Sequence, residues 1–433
     1  MRKPSLIDPL QRPLFRRLAA TYAVNELGDW MGIVALSVLV FDRTGSAYAT
    51  AGLFLGARFL PALLAPVLVA RVEQPPPRFA LPVIYCGEAA AFAALALVAG
   101  NFSLAAVIAL AVVDGVLALT GRAVTRAVVA ALLEPAGELR AGNAVLNVAF
   151  TGGAAIGPGI AGVVVAGFGV QSALLLDAVS FYLIGWILLA SPLPHVDTAP
   201  GSLRERVGAG LSYIRERPVL RRLLVAQGGA FVFFATVLPI EVIYAKETLG
   251  TGDSGYGLLL TAWGVGMVVG GLVFAAVRRS PLPYLLFFST LTVGLGYLGL
   301  AAAPNLALAC AASVVGGGGN GVQWVAAISA VQELTAPAMQ ARVMGVLESI
   351  GAAMPGVGFL LGGLVASGSS PRATYLVAGI GIFAIVALAA PLLGSRWPRE
   401  IGEPLRSGIG ADDEIMVELI PAGAVSSSRD RRS

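Results

Sequence analysis

The sequence predicts an all-α membrane protein whose twelve transmembrane helices form two pseudo-symmetric groups of six. Three observations carry that expectation. The 433 residues are 57% apolar and only 12% charged, against about 25% charged in an average soluble domain. Twelve windows of mostly apolar residues are long enough to cross a bilayer core as helix, which takes about 20 residues. Of the 29 Lys and Arg residues, 25 fall on one side of the resulting serpentine.

The spans run 17–41, 47–70, 79–100, 103–125, 144–168, 170–191, 221–245, 254–277, 282–303, 305–330, 343–367 and 373–394. The longest interruption separates the sixth from the seventh. It gives an N-terminal six-helix bundle (1–191), a linker (192–220), a C-terminal six-helix bundle (221–394) and a polar tail (395–433) expected to be disordered. In the linker, Leu203, Val207, Leu211 and Ile214 recur at helical spacing opposite arginines. That pattern reads as an amphipathic helix on the membrane surface. Topology and lipid contact account for its arginines, so no nucleic-acid partner is expected.

Cytoplasmic loops collect Lys and Arg. The opposite side holds only Arg43, Lys246 and Arg372, and Arg58 lies within a span, so both termini are expected in the cytoplasm. The first apolar run is too long, and lacks a small-residue cleavage site, to read as a signal peptide. The halves share a weak internal pattern. TGSAY (44–48) opens span two and TGDSGY (251–256) opens span eight, with Arg71 and Arg279 each 23 residues beyond the tyrosine. Parallel repeats of this kind build one class of secondary transporter; chance recurrence of residues that mark helix ends is the alternative.

Several chemistries have no candidates. Cys86 and Cys310 both lie in apolar runs, so no disulfide framework is expected. His195 stands alone, which leaves no metal site. There is no GxxxxGK[ST] loop, so ATP is not the expected fuel. The expectation is a protein without cofactor that is not an enzyme.

Longer stretches are more specific: ELRAGNAVLN (138–147), GGAAIGPGIAG (152–162), LLLDAVSFYL (174–183), LRERVGAGLSYIRERPVLRRLL (203–224) and YGLLLTAWGVG (256–266), with NELGDW in span one and RFLPALLAP (58–66) in span two. Together they resemble the major facilitator superfamily, most of all its exporter branch of macrolide-efflux and enterobactin-exporter-like proteins. The resemblance covers nearly the whole chain before the tail. It implies the major facilitator fold, a bacterial inner-membrane location, a monomer, and a drug- or siderophore-like small-molecule substrate. The family's antiporter motif in span five, GxxxGPxxGG, reads here Gly153, Gly157, Pro158, Ala161, Gly162, with Ala in place of one glycine. Small residues let helices approach closely, and proline interrupts the hydrogen-bond ladder. The motif is associated with export; a packing seam without a role in direction is the other reading. The loop after span two departs from the family. VARVEQPPPRF (69–79) offers Glu73 for the usual aspartate, and three prolines displace most of the basic cluster. Glu73 and Arg126 are the candidate gating charges.

Ionisable residues inside spans are costly and point to function. Counting about 1.5 Å per residue brings Asp29, Arg58 and Asp114 to mid-depth, with Glu26 one turn from Asp29. An Asp29–Arg58 ion pair is expected. By the resemblance, Glu26, Asp29 and Asp114 face the substrate cavity and Glu88 packs in a peripheral helix; Asp177, in the outer part of span six within LDAVSF, reads as structural. The C-terminal half has no acid or base near mid-depth; Glu241 and Glu348 lie near span ends. A carboxylate in a low-dielectric cavity gains affinity for a proton, and a nearby arginine opposes it. Alternating exposure then gives proton antiport through Asp29, Glu26, Arg58 and Asp114; the alternative is that Asp29 and Arg58 only hold helices together. Span ten reads VVGGGGNGVQWVAA (314–327). Its Asn320, Gln323 and Trp324, with Glu26, Trp30 and Trp263, are the candidate substrate contacts for a bulky amphipathic molecule; glycine packing with Trp324 toward lipid is the alternative.

The expected function is export of hydrophobic or amphipathic small molecules by proton antiport and alternating access, with protons and membrane lipids as the other partners. An importer or lipid facilitator of the same fold, or a non-transporting sensor, remains open at this point.

Overall fold

A backbone in lipid must satisfy its own polar groups, which leaves helices and closed barrels. The computed structural model describes residues 8–64, 77–194, 203–277, 280–336 and 339–390, and these contain helices and no strand. The helices are α1 (Pro13–Thr44), α2 (Ala47–Leu64), α3 (Pro77–Gly100), α4 (Leu104–Leu133), α5 (Leu139–Phe168), α6 (Val170–Leu189), α7 (Pro218–Thr248), α8 (Asp253–Ala276), α9 (Leu282–Ala302), α10 (Leu306–Glu333), α11 (Gln340–Gly368) and α12 (Pro371–Ala389). A further helix, Leu203–Arg215, occupies the linker. Glu73 and the tail 395–433 lie outside the described residues.

Among the described residues, eleven helices are long and apolar enough to cross a membrane. The protein is thus a multi-pass membrane protein. The expected tenth span, α10, falls outside that set although it has 28 residues, about 42 Å of helix. Its four consecutive glycines, Asn320 and Gln323 dilute its hydropathy, and it is wedged between α8 and α9.

Local chemistry explains the ends. Pro13 opens α1, and Gly45 closes it in the left-handed conformation, its N–H bonded to the Phe41 carbonyl. Ser46, Asn305 and Ser370 cap α2, α10 and α12 by accepting from backbone N–H groups. The two repeat tyrosines differ in setting: Tyr48 is exposed and Tyr256 is buried.

Two helices depart from regular α geometry, each at a basic residue. In α2, Leu55–Phe59 is a π segment that carries Arg58. In α7, a 3₁₀ turn at Leu238–Ile240 leads to a π segment, Tyr244–Thr248, that carries Lys246. Such segments are uncommon and recur at functional sites. The linker helix is more than a surface helix. A Cβ at its Gly210 would come within 2.9 Å of the Arg342 carbonyl on α11, and the Ala336 N–H donates to the Tyr213 hydroxyl at 2.8 Å. Ile214 is buried while Leu211 is exposed, so the helix docks on the ends of α10 and α11 with only part of its apolar face covered.

Helix pairs α1–α5, α1–α6 and α3–α6 pack closely on one side of the linker in sequence, and α7–α11, α8–α10, α9–α10 and α9–α12 on the other. Contacts between these groups run mainly through α5–α8 and α2–α11.

Candidate functional site

Glu26 and Asp29 stand three residues apart on α1, so they share a face. Both are buried, at 0% and 8% exposure. Their common partner is Arg122 of α4. Its Nη2 donates to Glu26 Oε2 at 3.0 Å and to Asp29 Oδ2 at 2.5 Å. Asn25 lies 3.4 Å from the same Asp29 oxygen through its Nδ2. One guanidinium thus joins two carboxylates of another helix, a charge-assisted arrangement stronger than a neutral hydrogen bond.

This corrects the expected Asp29–Arg58 pair. Arg58 makes no ion pair among the described residues; its guanidinium lies 5.9 Å from the Trp30 ring centroid, within range of a cation–π contact. The cause is local. The π segment changes the facing of Arg58, and α4 lies against it, with Gly115 touching the Ala57 carbonyl oxygen where any side chain would clash.

Asp29, Arg58, Asp114 and Arg122 nevertheless line one cleft of about 510 Å³, with Ile33 and Ala57 among its apolar walls. These four charged residues, from α1, α2 and α4, thus share one cleft. Trp30 is half-buried between Arg58 and α5.

The glycines of the span-five motif hold α1 in place. A Cβ at Gly153 would stand 2.9 Å from Glu26 Cβ, and one at Gly157 would stand 2.8 Å from Trp30 Cβ. The other face of α5 meets α8: a Cβ at Gly162 would be 3.0 Å from the Asp253 carbonyl, and one at Gly257 would be 2.5 Å from the Pro158 carbonyl. The motif is thus a two-sided seam that presses both the carboxylate helix and α8 against α5. Arg126 is exposed, one turn beyond Arg122.

The candidate substrate residues of the other half do not converge with these. Gln323 donates to Gln227 of α7 at 2.7 Å, and both are buried. Trp263 stacks on Tyr297 at 5.3 Å and abuts Gly316, inside an aromatic cluster that includes Phe234. Trp324 is 39% exposed beside Phe231, and Asn320 is half-buried. The glycines of α10 serve close packing: a Cβ on Gly317 would fall on the Trp263 carbonyl, and one on Gly296 would meet the Gly316 backbone.

Two further acids sit behind the cleft. Glu88 of α3 is fully buried, and neither oxygen has a hydrogen-bond partner among the described residues. Asp177 of α6 is 1% exposed and faces the bare backbone of α1, within 3.3 Å of where a Cβ on Gly28 would be.

The sequence matches the transmembrane secretion effector family over residues 4–397. The chain belongs to that family. Its fold is the major facilitator fold. The nucleoside transporter NupG superposes with a TM-score of 0.69 at 13% identity, over 89% of this chain and 100% of that one. A bacterial homolog of the human lysosomal transporter Spinster, in an inward-facing and occupied conformation, superposes with a TM-score of 0.70 at 12% identity, over 89% and 97%. At those identities the likeness concerns fold alone. The multidrug efflux pump Tap of Mycobacterium bovis is 29% identical over 406 residues, 88% of this chain and 94% of the pump. Tap of Mycolicibacterium fortuitum is 28% identical, over 89% and 96%.

Within this secretion-effector chain, Arg122 is the functional candidate that sequence reasoning misassigned. The charge count places it with the cytoplasmic cations although it falls inside span four as drawn (103–125), and α4 itself runs on to Leu133. The available signal was its spacing: eight residues past Asp114, close to two turns of one helix face.

Proposed function

We propose that this family member exports hydrophobic or amphipathic small molecules by alternating access, driven by proton antiport. The observation that carries the coupling is the buried Glu26–Arg122–Asp29 bridge on the wall of a cleft that Asp114 and Arg58 also line. A proton taken by either carboxylate weakens its hold on Arg122 and changes the α1–α4 contact. A substrate that displaces Arg122 favours the converse release. The similarity to a multidrug efflux pump supports the outward direction and the substrate class. The protein then sits in a bacterial inner membrane with both termini cytoplasmic, consistent with its arginine distribution. The two six-helix groups, 1–191 and 221–394, are the bodies that rock, and Trp30 and Trp324 are substrate contacts.

Everted vesicles test this reading. A lipophilic dye added to energised vesicles is expected to dissipate part of the proton gradient, and Asp29→Asn to abolish that response. Dye movement by the wild-type protein without proton flux would refute coupling. Transport unchanged in Arg122→Ala would refute the role of the bridge.

A further inference from the structure

A second groove, of about 560 Å³, lies among α7, α9, α10 and α12, apart from the carboxylate cleft. Leu223, Ala226, Gln227 and Ala230 of α7 form one wall; their spacing is that of a single helix face. Phe287 and Ile385 stand among the facing residues. The Gln227 and Gln323 amides, its main polar groups, bond to each other. Apart from these amides and Thr290 the lining is apolar, so a guest of mainly hydrocarbon character fits it at the least desolvation cost.

The location of the mouth adds a charge. Leu223 is in the second turn of α7, Pro283 is at the start of α9, and Ala389 is the last residue of α12. The groove therefore opens at the end of the helices where Arg221 and Arg222 lie exposed. Arg222 precedes Ala226 by one turn on the same face. From Leu223 to Ala230 the groove reaches about 10 Å along the helix. An apolar slot that opens at the headgroup level beside a cation is complementary to an anionic lipid. We propose that this groove holds an acyl chain of an anionic phospholipid, with the phosphate at Arg222.

The purified protein in detergent is titrated with phosphatidylglycerol and with phosphatidylcholine of the same chains, and thermal unfolding is followed. The expected result is stabilisation by both, with phosphatidylglycerol about five-fold more potent, the value of one surface cation. Arg222→Ala is expected to erase that preference, and Ala226→Trp, which fills the groove, to erase the stabilisation itself. Because Ala226→Trp can fail to fold, photoactivatable phosphatidylglycerol is also cross-linked to the wild-type protein; adducts are expected at Ala226–Ala230 and Ile385–Ala389. Equal potency of the two lipids, a preference that survives in Arg222→Ala, or adducts spread evenly over the helices would overturn the proposal. So would groove labelling by a photoactivatable lipophilic dye that lipid does not compete.

Discussion

At the scale of single residues, Arg122 holds the balance of buried charge. Removing one partner of a buried ion pair costs about 3–5 kcal/mol, because the remaining charge is left uncompensated. Arg122→Leu is expected to lower unfolding stability by that amount. Adding Glu26→Gln and Asp29→Asn should recover most of it, since no orphan charge remains. Chemical denaturation of the three proteins checks this, and a triple variant no better than the single one would contradict the bridge. Arg12 and Glu138 form a smaller contact at the start of α1 and α5, with Arg12 Nε 2.7 Å from Glu138 Oε2. The Arg12 hydrogen bond and charge hold the Glu138 carboxyl below its ordinary value. The contact therefore stabilises above the unfolded Glu value, about 4.3, and fades as pH falls through the lower folded value. Glu138→Gln is expected to flatten the acid limb of a melting-temperature profile, with a small loss at neutral pH.

At the scale of elements, α10 shows what a glycine run is for. A Cβ at Gly317 would fall on the Trp263 carbonyl, whereas one at Gly318 would have 3.7 Å to its nearest neighbour. Gly317→Ala is expected to force α8 and α10 apart at about 1–3 kcal/mol or more, as overpacking does. Gly318→Ala should be neutral, or stabilising by up to about 1 kcal/mol through helix propensity. Thermal melts in detergent separate the two. Equal effects would mean that the glycines serve flexibility rather than approach.

At the scale of the whole molecule, ion pairs and a close helix contact join the two groups of helices at one end of the array. Lys246 of α7 pairs with Asp42 of α1 at 2.5 Å and with Asp253 of α8 at 2.6 Å. Nearby, a Cβ on Gly363 of α11 would stand 2.9 Å from Ala51 Cβ of α2, close enough for a disulfide with slight adjustment. With Cys86 and Cys310 replaced by Ser, Ala51→Cys with Gly363→Cys is expected to cross-link under oxidation and stop transport, and reductant to restore it. Transport that continues in the cross-linked protein would argue against alternating access through this end.

The sequence by itself determined that the protein is a helical, multi-pass membrane transporter with its buried charges in the first six spans. Those properties are local: lipid imposes helix on any apolar run, and a charge within such a run is legible one residue at a time. The ends of α1 at Pro13 and Gly45 are local in the same sense, although the apolar window places that span at 17–41. What only the tertiary structure decided is which groups meet. A depth count treats helices as regular and puts Asp29 level with Arg58, but the π segment of α2 and the contact of Gly115 with Ala57 re-aim that arginine toward Trp30. The partner of Asp29 lies 93 residues away, on a helix that runs past its expected end. Pairing across that distance depends on helix facing and packing, which no window of sequence contains.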